Sequence, residues 1–186
     1  MISAAPIPLH QLDLIGRIQA IALLAFLGGS AVIGGALLFQ HVGGLEPCEL
    51  CLLERWPYYI GCPVLGVAIF ARTRSLLVSI FSIGSLLFLG SVGLALYHVG
   101  VEQHWVAGPT ACTSTPTAAI SIEALRIQLM QTEMVRCDDV QWSLFGISLA
   151  GWNAIASLFL TALGLIGLLA SWRLGRAEAA SQHNSM

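Results

Sequence analysis

Residues 47–55 read Pro47-Cys48-Glu49-Leu50-Cys51-Leu52-Leu53-Glu54-Arg55 and lead directly into an apolar segment. The segment from Tyr58 to Ala71 has 14 residues. As a helix it would span about 21 Å, against a hydrocarbon core of about 30 Å, so a crossing helix must begin near Leu52. Cys51 and Arg55 have the i,i+4 spacing that places two side chains on one face of a helix. A helix N-terminus and a guanidinium both stabilise a thiolate, so the pattern predicts redox chemistry at Cys51, at a membrane surface.

The composition is that of a membrane protein. The chain has 186 residues, of which 56% are hydrophobic and 10% charged, and its mean hydropathy is +0.81. It contains no lysine and has a formal net charge of -2, which argues against a nucleic-acid partner. Four apolar segments predict transmembrane helices at about 18–39, 52–71, 76–97 and 147–172. We therefore expect an all-α membrane protein, a single domain over residues 1–186 that forms a four-helix transmembrane bundle.

The arginines predict the orientation of the chain. Five of them fall on one side of these helices: Arg17, Arg72, Arg74, Arg173 and Arg176. The positive-inside rule makes this side cytoplasmic, so both termini should be cytoplasmic. Two loops, at about 40–50 and 98–146, should then be periplasmic, and the second could carry a short surface helix within residues 120–135.

The cysteines fall at three places in this topology. Cys48 and Cys51 lie at the first outer loop, Cys112 and Cys137 lie in the second, and Cys62 lies inside the second helix. Two outer pairs suit an oxidising compartment. Cys62 is expected to be an inert buried residue.

Two polar residues stand near the ends of apolar helices. His98 follows the third helix at the level of Cys51. It would either cap a helix end or donate a hydrogen bond to a cofactor carbonyl. Asn153 lies inside the fourth helix, where it should form a hydrogen bond with a neighbouring helix.

Taken together, these motifs resemble the DsbB family of bacterial disulfide-bond-formation proteins. The residues that carry the resemblance are Cys48-Glu49-Leu50-Cys51, Glu54-Arg55, Tyr97-His98, Cys112, Cys137, Trp142 and Gly146. The likeness extends from the first predicted helix to the fourth.

The resemblance implies an enzyme of the bacterial inner membrane, a protein dithiol:quinone oxidoreductase that forms disulfides. A periplasmic DsbA-like partner of thioredoxin fold would attack a Cys112–Cys137 disulfide, and Cys137 would then exchange with a Cys48–Cys51 disulfide. Cys51 would pass electrons to ubiquinone or menaquinone, with Arg55 and His98 as further cofactor-binding residues. The resemblance implies no bound metal.

Three other interpretations remain open at this stage. The cysteines could form purely structural disulfides, and closing the loop of about 25 residues between Cys112 and Cys137 would contribute roughly 3 kcal/mol. They could form a four-thiolate metal site in a membrane metal-binding protein, although only one pair has the Cys-x-x-Cys spacing. The chain could also be a quinone reductase like vitamin K epoxide reductase, in which the Cys-x-x-Cys motif comes late in the chain and not early.

Overall fold

The computed structural model describes residues 9–109 and 136–184. Within them lie five helices and one β-hairpin. The elements are α1 (Leu9–His41), α2 (Glu49–Leu53), α3 (Trp56–Ala68), α4 (Arg74–Glu102), β1 (Ser143–Leu144), β2 (Ile147–Ser148) and α5 (Leu149–Asn184). The most extensive contact is between α4 and α5, while α1 packs against α5 and α3, and α3 also packs against α4. Cys112, which is a predicted site residue, lies outside the described residues, and so does the predicted surface helix within 120–135.

Three helices are long and apolar enough to cross a membrane. They extend over Leu12–His41, Arg74–Glu102 and Leu149–Arg176. Large apolar side chains such as Leu86 and Phe159 are exposed on these helices, as expected for side chains that face lipid. The predicted helical membrane architecture is therefore confirmed.

The predicted helix over 52–71 is divided into α2 and α3. Glu54 and Arg55 form a turn between the two helices. Pro57 lies in the first turn of α3, where its missing N–H and its ring prevent a continuous helix from the residues before it. With 13 residues, α3 extends over about 20 Å, which is shorter than the hydrocarbon core of about 30 Å.

The other predicted helices are longer in the structure than in the sequence pattern. The first begins at Leu9, and the third continues to Glu102, beyond the expected end at residue 97. His98 is therefore inside α4, one turn before its end, and its side chain is buried between helices. The fourth begins at Leu149, because the residues before it form the hairpin.

Two clusters of buried residues hold the helices together. The larger one fills the centre of the bundle, where the rings of Tyr58 and Phe88 make an edge contact with centroids 5.4 Å apart. The smaller one lies beside the Cys-x-x-Cys motif and consists of Cys48, Leu50, Val101 and Cys137. This second cluster brings a cysteine of each predicted pair together.

A short antiparallel hairpin precedes α5. Ser143 pairs with Ser148, and Phe145 and Gly146 form the turn with φ of 54° and 77°. Positive φ at both central residues is the geometry of a type I′ turn, which matches the twist of paired strands. Ser148 Oγ accepts a hydrogen bond from the Gly151 amide (3.1 Å), as an N-cap does. The hairpin was not predicted, and it fixes where α5 begins.

Candidate redox site

The two thiols of the Cys-x-x-Cys motif are adjacent and reduced in this structure. Cys48 precedes α2 as its N-cap, and its Sγ accepts a hydrogen bond from the Cys51 amide (3.3 Å). The two sulfur atoms are 3.1 Å apart and hydrogen-bonded. A disulfide has its sulfurs about 2.05 Å apart, so a small rotation of either side chain is enough to form one.

A buried histidine and carboxylate stand behind Cys48. His98 Nε2 lies 3.7 Å from Cys48 Sγ, and His98 Nδ1 lies 2.8 Å from Glu54 Oε1. The second oxygen of Glu54 accepts a hydrogen bond from Asn153 Nδ2 (2.7 Å). Both His98 and Glu54 are buried, with 3% and 6% of their surface exposed. The thiol is therefore linked to a carboxylate through one imidazole ring.

The environment favours negative charge on Cys48. The pKa of Cys48 is lowered to about 4, chiefly by its side-chain hydrogen bond with Cys51, while burial opposes the shift and His98 adds to it. The same hydrogen bond with Cys48 is the main cause that raises the pKa of Cys51. In the reduced pair these contacts favour the thiolate on Cys48, and the redox role of Cys51 stays a prediction. The physical reason is that the Cys48 sulfur receives the helix N–H and faces the imidazole.

The Arg55 side chain reaches α1, where its Nη1 donates a hydrogen bond to Gln40 Oε1 (2.6 Å). Glu54 and Arg55 are neighbours in sequence, yet one contacts the thiol cluster and the other contacts α1.

A cavity of about 310 Å³ opens beside Cys51. The polar residues that line it are Gln40, Glu46, Cys51, Glu54, Arg55, Tyr58, Gln141 and Asn153. Apolar residues of α1 and α5 line most of the rest, with Phe39 and Trp152 among them. A largely apolar cavity of this size with a few converging polar groups is typical of a small-molecule site.

The residues expected to bind a cofactor are not all at this cavity. Cys51 and Arg55 line the cavity, whereas His98 is not among the described residues that line it. His98 instead contacts Cys48 and Glu54, so its direct contact with a cofactor stays a prediction. Glu54, which is hydrogen-bonded to His98, does line the cavity.

Hydrogen bonds continue from the site into the bundle. Tyr58 Oη donates to Asn153 Oδ1 (2.6 Å) and shares a hydrogen bond with Ser157 Oγ (2.7 Å). Ser157 is in turn hydrogen-bonded to Ser91 (2.9 Å). The expectation that Asn153 bonds to a neighbouring helix is confirmed, since it joins α5 to Tyr58 on α3 and to Glu54.

Cys137 packs in the same cluster as Cys48. It is disulfide-bonded and buried, and it belongs to the same small cluster as Cys48, Leu50 and Val101. Its predicted partner, Cys112, lies outside the described residues, so the Cys112–Cys137 pairing stays a prediction. Cys48, Cys51 and Cys137 thus meet in one cluster, and of these three Cys51 also lines the cavity.

Sequence reasoning missed the roles of Glu54 and Tyr58. Glu54 was part of the motif but had no assigned function, and Tyr58 counted only as an apolar residue of a helix. A carboxylate at the edge of an apolar helix was a usable signal, because such a group is rarely buried without a partner. Tyr58 gave no comparable signal.

Comparison with known proteins agrees with this site. A family model described as disulfide bond formation protein DsbB matches residues 18–167. The chain belongs to the DsbB family. Disulfide bond formation protein B 1 of Pseudomonas aeruginosa PAO1 is 34% identical over 143 residues, which are 72% of this chain and 84% of the relative. Disulfide bond formation protein B of Polaromonas sp. JS666 is 28% identical over 163 residues, which are 86% of this chain and 92% of the relative. No solved structure matches the chain significantly.

Membership of the DsbB family identifies the chain as a disulfide-generating membrane oxidoreductase. The predicted resemblance is confirmed. The family match gives no support to a membrane metal-binding protein or to a reductase like vitamin K epoxide reductase.

Proposed function

We propose that this DsbB-family protein reoxidises a periplasmic thiol oxidase of thioredoxin fold, like DsbA, and passes the electrons to a membrane quinone, ubiquinone or menaquinone. The observation that carries the proposal is the position of the two thiols. Cys48 packs with Cys137, while Cys51 lines the cavity. A dithiol with one sulfur buried beside Cys137 and the other at the cavity is suited to receive electrons from Cys137 and to release them to a molecule in the cavity.

The proposed topology is a four-span bundle in the bacterial inner membrane. Residues 52–71, which include α3, would be the second of the four crossing segments, because α3 packs against both α1 and α4. Both termini would be cytoplasmic, on the side of Arg17 and Arg72. The loops at 40–50 and 98–146 would be periplasmic, which places the Cys-x-x-Cys motif and the second cysteine pair on the same side of the membrane.

The thiol exchange would start in the second periplasmic loop. A thiolate of the partner attacks the Cys112–Cys137 disulfide at Cys112, which breaks that bond and frees Cys137. Cys137 then attacks Cys48 of a Cys48–Cys51 disulfide and releases Cys51. Cys48 is now bonded to Cys137 and no longer a thiolate, so the interaction that most raises the pKa of Cys51 in the dithiol is gone. Cys51 can then carry the negative charge beside the cavity. The second thiolate of the partner would release Cys112, and Cys112 would attack Cys137, which re-forms the Cys112–Cys137 disulfide and frees Cys48.

The residues around the cavity fit a quinone. A quinone is an apolar ring with two carbonyl acceptors, and when bound it supplies an acceptor for two electrons and two protons. The apolar walls from α1 and α5 suit the ring and its tail. The Arg55 guanidinium, held by Gln40, is a donor on the wall of the cavity that Cys51 also lines. It would orient a carbonyl and stabilise negative charge there.

Protons must leave the thiols when the Cys48–Cys51 disulfide re-forms. Oxidation of two thiols releases two electrons and two protons, and a quinone in the cavity would accept both the electrons and the protons. His98 faces Cys48 and is bonded to Glu54, which lines the cavity. We therefore assign His98 to the quinone-reducing site through Glu54: the pair would carry a proton from the Cys48 side to the cavity.

Quinone absorbance provides the test. The full-length protein in detergent is mixed with quinone and a reduced thioredoxin-fold partner, and the wild type is compared with Cys51→Ala and Cys62→Ala. The wild type and Cys62→Ala should consume the quinone, since Cys62 is buried away from the site in the central cluster. Cys51→Ala should not. Quinone reduction by Cys51→Ala at the wild-type rate would show that electrons leave by another route.

A further inference from the structure

Three metal-binding atoms converge at the reduced site. Cys48 Sγ, Cys51 Sγ and His98 Nε2 all lie within 4.8 Å of one another. Thiolate sulfur and imidazole nitrogen are the ligands that Zn²⁺ prefers in proteins. They come from two different helical segments, so the arrangement is a product of the fold and not of the Cys-x-x-Cys motif alone.

The distances are close to those of a tetrahedral zinc site. Zn–S bonds of about 2.3 Å and Zn–N bonds of about 2.0–2.1 Å place two sulfurs about 3.8 Å apart and a sulfur about 3.6 Å from a nitrogen. Here the distance between Cys48 Sγ and His98 Nε2 is 3.7 Å, and the two sulfurs are 3.1 Å apart. The sulfurs would have to separate by less than about 1 Å, which a rotation of the half-buried Cys51 side chain allows.

The surroundings of His98 are those of a metal ligand. Its Nδ1 is held by the Glu54 carboxylate (2.8 Å), and Glu54 is itself fixed by Asn153 (2.7 Å). This leaves Nε2 directed at the sulfurs. A carboxylate that fixes the far nitrogen of a metal-bound histidine recurs in zinc proteins, where it raises the affinity for the metal. An ordinary pair of vicinal thiols lacks this support.

We propose that the reduced protein binds one zinc-like divalent transition-metal ion through Cys48, Cys51 and His98. A water molecule from the cavity that Cys51 lines would complete the coordination. The metal binds both cysteines as thiolates and His98 as neutral imidazole, so the protons that these groups still carry are released to water and no electrons move. The Cys48–Cys51 disulfide offers no thiolate, so only the reduced form would bind, and the bound metal would hold the enzyme reduced. The site is a property of the oxidoreductase and differs from the four-thiolate metal site considered from the sequence, for it uses one cysteine pair and a histidine.

Cobalt is a suitable probe, because its visible spectrum reports tetrahedral geometry and its ultraviolet charge-transfer bands report thiolate ligands. The full-length protein in detergent, with Cys112→Ser and Cys137→Ser to remove the other outer thiols, is titrated with Co²⁺ in its reduced and oxidised forms. Zinc is then added in competition. We expect one ion per reduced chain, thiolate bands, displacement by zinc and no binding to the oxidised form.

Variants separate the proposed site from nonspecific binding to two thiols. Glu54→Gln should weaken zinc binding about 10–100-fold, the usual effect of removing such a supporting carboxylate. His98→Ala should weaken it further. Cys62→Ala, which removes the remaining thiol, should bind like the parent.

Equal binding by the oxidised and reduced forms would overturn the proposal, and so would cobalt binding without thiolate bands. Unchanged affinity in both Glu54→Gln and His98→Ala would also overturn it. If His98→Ala does not fold, as judged by circular dichroism and gel filtration, Glu54→Gln decides the question. The measurement uses neither quinone nor a protein partner, so its outcome is independent of the proposed electron route.

Discussion

Replacing Tyr58 with phenylalanine removes a hydroxyl that joins the thiol site to the centre of the bundle. Tyr58 is 2% exposed, and its hydroxyl is bonded to Asn153 (2.6 Å) and Ser157 (2.7 Å). The phenylalanine ring keeps the edge contact with Phe88, so packing should change little. Hydrogen bonds between membrane helices contribute about 0.6 kcal/mol on average and at most about 1.7 kcal/mol. Losing two of them should lower the free energy of unfolding by about 1–2 kcal/mol, a factor of roughly 5–30 in the folding equilibrium.

Unfolding by SDS in mixed micelles, followed by tryptophan fluorescence, measures this change. The neighbouring residue supplies a matched control, because Tyr59 is 47% exposed and its ring contact with Trp56 survives the same substitution. Tyr59→Phe should leave the free energy of unfolding within about 0.5 kcal/mol of the wild type. Equal unfolding free energies for Tyr58→Phe and Tyr59→Phe would refute the reasoning, since the buried hydrogen bonds would then contribute nothing measurable.

Three further predictions concern single residues. Arg55→Ala should raise the KM for quinone about tenfold or more, because it removes a charged hydrogen-bond donor that contributes about 1.5–3 kcal/mol. Oxidation of the partner in a single turnover should stay normal. Unchanged quinone kinetics would contradict the role of Arg55. Because the pKa of Cys48 is lowered to about 4, its alkylation in the reduced chain should be nearly constant between about pH 6 and 8 and fall as the pH drops through 4. A rate that instead rises about tenfold per pH unit over this range, read by mass spectrometry, would indicate an ordinary thiol. Gly29→Ala would place a Cβ 2.6 Å from Cys62 Sγ and should lower the melting temperature in detergent, and adding Cys62→Ala should restore most of the loss.

Much of the helical architecture could be predicted from the sequence, because apolar runs of about 20 residues have few other structures open to them. The break in the helix before Trp56 could not be predicted. Residues 52–71 are apolar except for a few polar positions such as Glu54 and Arg55, and one continuous helix is compatible with that pattern. Pro57 was the signal, but a proline in the first turn of a helix is equally compatible with a helix that simply begins there. The continuation of α4 to Glu102 was missed because polar residues after Tyr97 lower the hydropathy without ending the helix.

The candidate site was predictable where it is local in sequence. Cys48, Cys51 and Arg55 lie within eight residues, and their chemistry can be read from the motif. The contacts of Glu54 were not predictable, because His98 lies 44 residues away and Asn153 lies 99 residues away. That Asn153 needs a partner follows from its place in an apolar helix, but which partner it has depends on how α5 packs.

The turn between α2 and α3 also bears on how such a site can change over time. It directs two consecutive residues to opposite duties, so that Glu54 contacts His98 and Arg55 contacts Gln40 of α1. Both side chains line the cavity, but different helices hold them, since Glu54 is bonded to residues of α4 and α5 and Arg55 to a residue of α1. Apolar wall residues such as Phe39 and Ala156 take no part in these hydrogen bonds. Substitutions among them in different lineages can therefore reshape the cavity for another electron acceptor while the dithiol and its histidine keep their contacts.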